Sequence, residues 1–178
     1  MSEEILPLVD NDGNVTGKAP RSMCHSNPDL LHPVVHLHVL NCNGEIYLQK
    51  RALTKRIQPG KWDTAVGGHI SYGEEVIDAL RREAHEEIGL NQFEPVFITK
   101  YKFTSAVETE FVHVFATITD QSLTRQNDEI DDARYWTFSQ IYEAIGKGVL
   151  TPNFEKEFIQ TVDTPLFRER LKKLAPAS

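Results

Sequence analysis

The sequence predicts an α/β (α+β) chain in which a mixed β-sheet lies between helices. Two observations carry that prediction. Segments with strand patterning and segments with helical patterning intermingle along the chain, without the regular strand–helix–strand alternation that builds an all-parallel sheet. The length of 178 residues is that of one domain able to bury a substantial core. The whole chain, 1–178, therefore reads as one domain: an N-terminal hairpin over residues 1–28, a core over about 30–147 and closing helices over about 153–174.

Ile5 to Val9 and the run from Val15 onward read as the hairpin, joined by a turn at Asp10-Asn11-Asp12-Gly13-Asn14. The turn is no calcium loop, because Gly13 comes too early and no bidentate glutamate follows. His32 to Leu40 and Glu45 to Arg51 are two strands joined through Asn41 to Gly44, and Arg56 to Asp63 is a loop broken by Pro59-Gly60. Trp62 to Val66 leads as a short strand into Gly67-Gly68. A helix follows from about Glu74 to Ile88, with Val76, Ile77, Leu80, Ala84 and Ile88 for its buried face and Gly89 as C-cap. Val96 to Thr104 and Glu110 to Thr119 are strands; Asp128 to Asp132 is an acidic turn before a short strand from Ala133 to Thr137. Phe138 to Lys147 is a helix capped by Ser139, and Asn153 to Val162 and Leu166 to Leu174 close the chain.

Composition narrows the function. The net charge of −7 argues against a broad nucleic-acid surface, though not against a phosphorylated small molecule, since a bound metal reverses the local field. No apolar stretch reaches membrane-spanning length, and the acidic opening MSEEILPLVDND is unlike a signal peptide. Two cysteines, Cys24 and Cys42, are too few for a disulfide framework and fit a reducing cytosol, so a cytoplasmic location is expected.

Residues 68 to 90, GHISYGEEVIDALRREAHEEIGL, carry the chemistry. Glu83, Glu86 and Glu87 stand at i, i+3 and i+4, so a helix brings their carboxylates to one face. Three acids that close repel one another without a cation, and hard divalent ions prefer carboxylate oxygens and recruit substrate phosphates. The pattern therefore points to metal held against a diphosphate.

The segment resembles the signature of the Nudix hydrolases, G-x5-E-x7-R-E-U-x-E-E-x-G-U. Gly68, Glu74, Arg82, Glu83, Glu86, Glu87, Gly89 and Leu90 all match, and only Ala84 is small for its bulky aliphatic position. The resemblance implies an α/β/α sandwich with a mixed sheet, Mg²⁺ or Mn²⁺ as cofactor and a small-molecule diphosphate as substrate. It implies Glu83, Glu86 and Glu87 as metal ligands, joined by the Gly67 carbonyl. It further implies that Arg82 orients a glutamate of the box and that Glu74 fixes the helix start. The general base is a glutamate of the box or an acid from another loop, such as Glu129.

From Leu8 to Leu90 the chain is also similar to the isopentenyl-diphosphate-isomerase-like branch. The resemblance lies in Cys24-His25, Leu30-Leu31-His32, Gln49-Lys50-Arg51, Pro59-Gly60-Lys61-Trp62 and Gly68-His69. By that resemblance His25, His32 and His69, with Glu108 and Glu110, form a second metal site. The isomerases carry a catalytic cysteine just before Gly68; this chain has Gly67 there and an intact box, which favours a hydrolase. The alternatives are isomerase-like activity with an altered acid/base pair and a non-catalytic nucleotide or diphosphate sensor. Many relatives dimerise, so a homodimer is compatible with the resemblance. His36 and His38 share a strand face and read as hydrogen-bonded histidines rather than ligands. Lys50, Arg51, Arg56 and Lys61 read equally as phosphate binders and as a solvated basic rim, and Trp62 and Phe103 read as core.

Overall fold

A computed structural model describes residues 3–125 and 128–174, so the tail from Ala175 lies outside the described residues. The element order is β1 (Ile5–Val9), β2 (Val15–Pro20), α1 (Arg21–Cys24), β3 (Leu31–Leu40), β4 (Ile46–Arg51), β5 (Trp62–Thr64), β6 (Val66–His69), α2 (Val76–Ile88), β7 (Val96–Thr104), β8 (Thr109–Ile118), β9 (Ile130–Trp136), α3 (Phe138–Ala144) and α4 (Pro152–Glu157). A π-helical turn over Phe158–Val162 and α5 (Pro165–Leu171) complete it.

β3 organises the main sheet. It runs parallel to β8 over its full length, and β7 continues that side antiparallel to β8. On its other side β3 pairs antiparallel with β6 through Val34 to Leu37 and with β4 through Val39 and Leu40, and β4 in turn carries β5 and β9. The mixed sheet between helices is thus the architecture observed.

All ten residues of β3 are buried because both sheet faces are covered. Its alternation sends Val35, Leu37 and Val39 toward α2, with Leu80, Ala84 and Ile88, and sends Val34 and Leu40 toward Ile141, Phe154, Phe158 and Phe167 of the C-terminal helices. The N-terminal hairpin attaches through Val9, Leu31 and Phe111. Its turn is held by the Asp10 carboxylate, which accepts the Asp12 and Asn14 amides at 2.9 Å. Gly13, at φ 92°, leaves room there for the Phe111 ring.

Several expectations need correction. The glycine pair does not end a strand; both glycines lie inside β6, while Trp62–Thr64 forms a separate strand. α3 is capped by the Thr137 hydroxyl in a capping box with Gln140, not by Ser139, and it stops at Ala144 before the positive-φ Gly146 and Gly148. β9 begins at Ile130, so Asp131 and Asp132 belong to a strand; their exposed side chains conceal the pairing with β4. The short helix α1 was not foreseen, and the helix expected over Asn153 to Val162 widens into the π turn after Glu157. Among the described residues no helix is long and apolar enough to cross a membrane.

Candidate active site

A cleft of about 1090 Å³ opens between α2, β6, the first turn of α4 and the loop at Ser105–Glu108. Gly67, Gly68, His69, Arg82, Glu83, Glu86 and Glu87 all line it, as do His25, His36, Glu108, Glu110 and Glu129. The buried arc of α2 passes through Ala79, Leu80, Ala84 and Ile88, and Glu83 and Glu87 fall inside that arc. Ile77, expected on this face, sits at its edge in the first turn and is 38 % exposed.

The arc turns two acids toward the glycine pair. A side chain at Gly68 would place its Cβ 2.0 Å from Cδ of Glu83, so only glycine lets helix and strand approach this closely. The Gly67 amide donates to Glu87 at 3.2 Å, and the Gln49 amide donates to the same oxygen at 3.0 Å. Burial pushes the Glu87 carboxyl up to about 8, helped by the neighbouring Glu83. Burial also raises Glu83 against the pull of Arg82. Two partly buried acids side by side fit a cation.

Arg82 holds this face in order. Its guanidinium grips Glu74 with two bonds, at 2.8 and 2.9 Å, and also donates to Glu83 at 2.7 Å, to Glu86 at 3.2 Å and to the His69 carbonyl at 3.0 Å. Glu74 accepts the Ser71 amide at 2.9 Å, which ties the loop to the helix start. The α2 acids are thus not drawn into one tight cluster: Glu83 and Glu86 lie on Arg82, with Glu86 on the exposed flank, and Glu87 lies on Gln49 and Gly67.

The histidines and acids carried over from the second resemblance do come together. The ligand atoms of His25, His32 and His69 lie within 4.8 Å of one another, and so do those of His32, Glu108 and Glu110. Nε2 of His25 and Nε2 of His69 stand 2.9 Å apart, and Nδ1 of His25 meets the Glu108 carboxylate. His32 is fully buried, and its Nε2 has no partner among the described residues. Burial lowers His32 and, more strongly, His69, which favours the neutral imidazoles that ligate metal. Burial raises Glu110 to about 7, with Glu108 beside it. An orphaned imidazole nitrogen amid neutral histidines and crowded acids fits a cation bound by nitrogen and oxygen.

The remaining residues divide. Glu129 is exposed at the cleft rim and paired with Lys55. Arg51 meets Asp63 at 3.6 Å. Trp62 is core, stacked edge-on against Trp136, whereas Phe103 is half-buried and walls the cleft. His36 and His38 are hydrogen-bonded as expected, but their partner, Glu157, was missed, along with Tyr101 and Gln49. A signal for Glu157 existed: it lies on the apolar stripe with Phe154 and Phe158, where an unpaired acid is rarely placed.

Comparison with known proteins agrees with this geometry. Residues 30–156 match the NUDIX domain model. The isopentenyl-diphosphate Delta-isomerase 1 of Photorhabdus laumondii is 31 % identical over 164 residues, covering 87 % of this chain and 93 % of that protein. The isopentenyl-diphosphate Delta-isomerase of Kocuria rhizophila is 35 % identical over 148 residues, covering 77 % and 81 %. The crystal structure of DR0079 from Deinococcus radiodurans superposes with a TM-score of 0.74 at 21 % identity, covering 94 % of this chain and 99 % of that one. With the glycine pair, the Arg82-bound acids and the histidine cluster in place, these matches make the chain a member of the Nudix family, within its isopentenyl-diphosphate-isomerase-like subgroup.

Proposed function

We propose that the protein is a hydrolase that depends on Mg²⁺ or Mn²⁺ and cleaves a diphosphate linkage in a nucleotide derivative or another small organic diphosphate. The observation that carries this reading is the complete acid set of α2 beside a strand that has glycine, not a thiol, at position 67. No cysteine lines the cleft among the described residues: Cys24 is buried with Leu6 and Ala19, and the exposed Cys42 bonds to Asp120.

Glu83, Glu86 and Glu87 would hold metal on the helix face, with the Gly67 carbonyl joining from the strand. A bound ion would supply charge neutralisation and would make a water more acidic. The chain's own residues do the rest. Arg82 fixes the rotamers of Glu83 and Glu86, and Glu74 anchors Arg82. Gln49 and the Gly67 amide aim one Glu87 oxygen. Proton abstraction from water falls to a glutamate of the box or to Glu129, whose pairing with Lys55 places it at the cleft mouth. The unpaired cysteines favour a cytoplasmic location.

A second reading rests on a different observation. The gathered His25, His32, His69, Glu108 and Glu110 are the set implied for isomerase relatives, and they favour isomerase-like activity with an acid other than cysteine. One experiment separates the two. Phosphate release from a panel of nucleoside and non-nucleoside diphosphates is measured with Mg²⁺ and Mn²⁺, beside isopentenyl diphosphate isomerisation. The hydrolase reading expects metal-dependent release that vanishes in the Glu86→Gln/Glu87→Gln variant. Isomerisation without release overturns it.

A further inference from the structure

Two side chains of α4 rest on β7. Asn153 meets the Tyr101 hydroxyl, which donates to its Oδ1 at 3.1 Å, and Lys156 stands 6.0 Å from the centre of the Phe103 ring. Residues i and i+3 of a helix share a face, and alternate residues of a strand share a side. Asn153 and Phe103 therefore come together at one end of the cleft, and both line it.

The chain beneath Asn153 is firmly held. The Thr151 amide donates to the Trp62 carbonyl at 2.9 Å, the Thr151 hydroxyl accepts the Phe154 amide at 3.2 Å, and Phe154 is buried in the core. Tyr101 is anchored as well, since its hydroxyl also reaches Glu157. With its Cα set by α4 and its Oδ1 by Tyr101, the Asn153 amide has a fixed orientation. Its Nδ2 has no hydrogen-bond partner among the described residues, so the N–H donors are open to a ligand.

Charge decides what kind of group belongs at this end. The four basic side chains that line the cleft pair elsewhere: Arg21 with Glu4, Arg51 with Asp63, Lys55 with Glu129, and Arg82 with Glu74, Glu83 and Glu86. Asn153 and Phe103 have acids for neighbours instead. Glu110 stands opposite Phe103 in the register of β7 on β8, and Glu157 takes the Tyr101 hydroxyl together with His36 and His38. A phosphate is better met by metal and by the basic side chains, which leaves the end at Phe103 and Asn153 to the organic group of the substrate. A hydrocarbon chain placed there would cover Nδ2 and leave its protons unpaired, which disfavours it.

We propose that Asn153 is a specificity-determining residue, donating Nδ2–H to an oxygen on the organic group of the substrate while the Phe103 ring packs against that group's apolar face. The class it selects is a diphosphate carried on a hydroxylated sugar ring, against one carried on a hydrocarbon chain. This rests on the diphosphate reading of the site. No bond is made or broken at Asn153; it chooses the organic group.

The test is calorimetric binding to the full chain, with Mg²⁺ present, of three ligands that resist hydrolysis: methylenediphosphonate, its 5′-adenosine ester and its isopentenyl ester. The adenosine ester should bind about tenfold more tightly than the isopentenyl ester, the worth of one hydrogen bond. The side-chain amide signal of Asn153 should shift with the adenosine ester and not with methylenediphosphonate. Asn153→Leu keeps the size and removes the donor, so it should abolish that preference. Tyr101→Phe, which frees the amide to turn, should reduce it. If leucine disturbs folding, Asn153→Ala reads the same ratio without added bulk. Equal or weaker binding of the adenosine ester by the unmodified chain, or an unchanged preference in a folded Asn153 variant, overturns the proposal. So does an equal loss for all three ligands, which would make Asn153 a phosphate contact. These outcomes leave the diphosphate reading intact, whereas failure of the unmodified chain to bind any of the three overturns both.

Discussion

Arg82 and Gly68 show how much of the site depends on single residues. Arg82 satisfies two carboxylates in addition to its two-bond grip on Glu74, which a lysine ammonium cannot reproduce in that planar arrangement. Arg82→Lys should therefore lower the turnover of the diphosphate substrate by about tenfold or more while the chain stays folded, read as kcat beside a thermal melt. Gly68→Ala acts by exclusion: its methyl would stand 2.0 Å from the Glu83 carboxyl carbon, so Glu83 or the strand must move. The expected result is loss of metal-dependent activity together with about 1–3 kcal/mol of stability, measured by urea unfolding. The cost of glycine's chain entropy is offset by a helix–strand approach that no other residue permits.

At the scale of elements, the C-terminal helices do more than cover the sheet. Their Phe154, Phe158 and Phe167 fill one side of the core, and the same helical stripe delivers Glu157 to His36 and His38. Phe158→Ala should cost about 3–5 kcal/mol, seen as a lower urea midpoint. Repeated Thr-Pro pairs start these helices: Thr151 and Thr164 cap them, each followed by proline at the first helical position. Thr137→Ala, which removes the α3 capping box, should cost about 1 kcal/mol in the same assay and leave the kinetics unchanged, since α3 lies away from the cleft. The α2 helix was legible because its period, its acids and the left-handed Gly89 agree. The start of β9 was not, because its exposed aspartates imitate a turn until β4 is known to lie beside them, although the strand from Ala133 onward was read.

At the scale of the molecule, the pair between β3 and α4 links stability to pH. His36 is raised from 6.5 to about 9 in the folded state, so its contribution is complete below 6.5 and is lost as the pH rises through about 9. Glu157 is held far below its ordinary 4.5; burial opposes that shift, and His36 and His38 overcome it. Its contribution is present above 4.5 and is lost as the pH falls through its depressed folded value. The pair thus contributes fully between 4.5 and 6.5. Urea unfolding across pH should show the alkaline decline in the unmodified chain, and the Glu157→Gln variant should lack it.

The sequence by itself determined the mixed α/β layering, the acid-bearing helix with its glycine cap, and membership of the family, because each is written in short-range period and spacing. It also supplied, through resemblance, the five residues of the histidine–glutamate cluster, but not the distances that gather His25, His32 and His69 and set His32 beside Glu108 and Glu110. The partnership of Glu157 with His36 and His38 was decided only in three dimensions, since the partners lie 121 and 119 residues apart in the chain. So was the division of labour between Gly67 and Gly68. A dipeptide does not say which face each residue serves; the register of β6 on β3 does, and that register is set by packing both faces of the sheet at once.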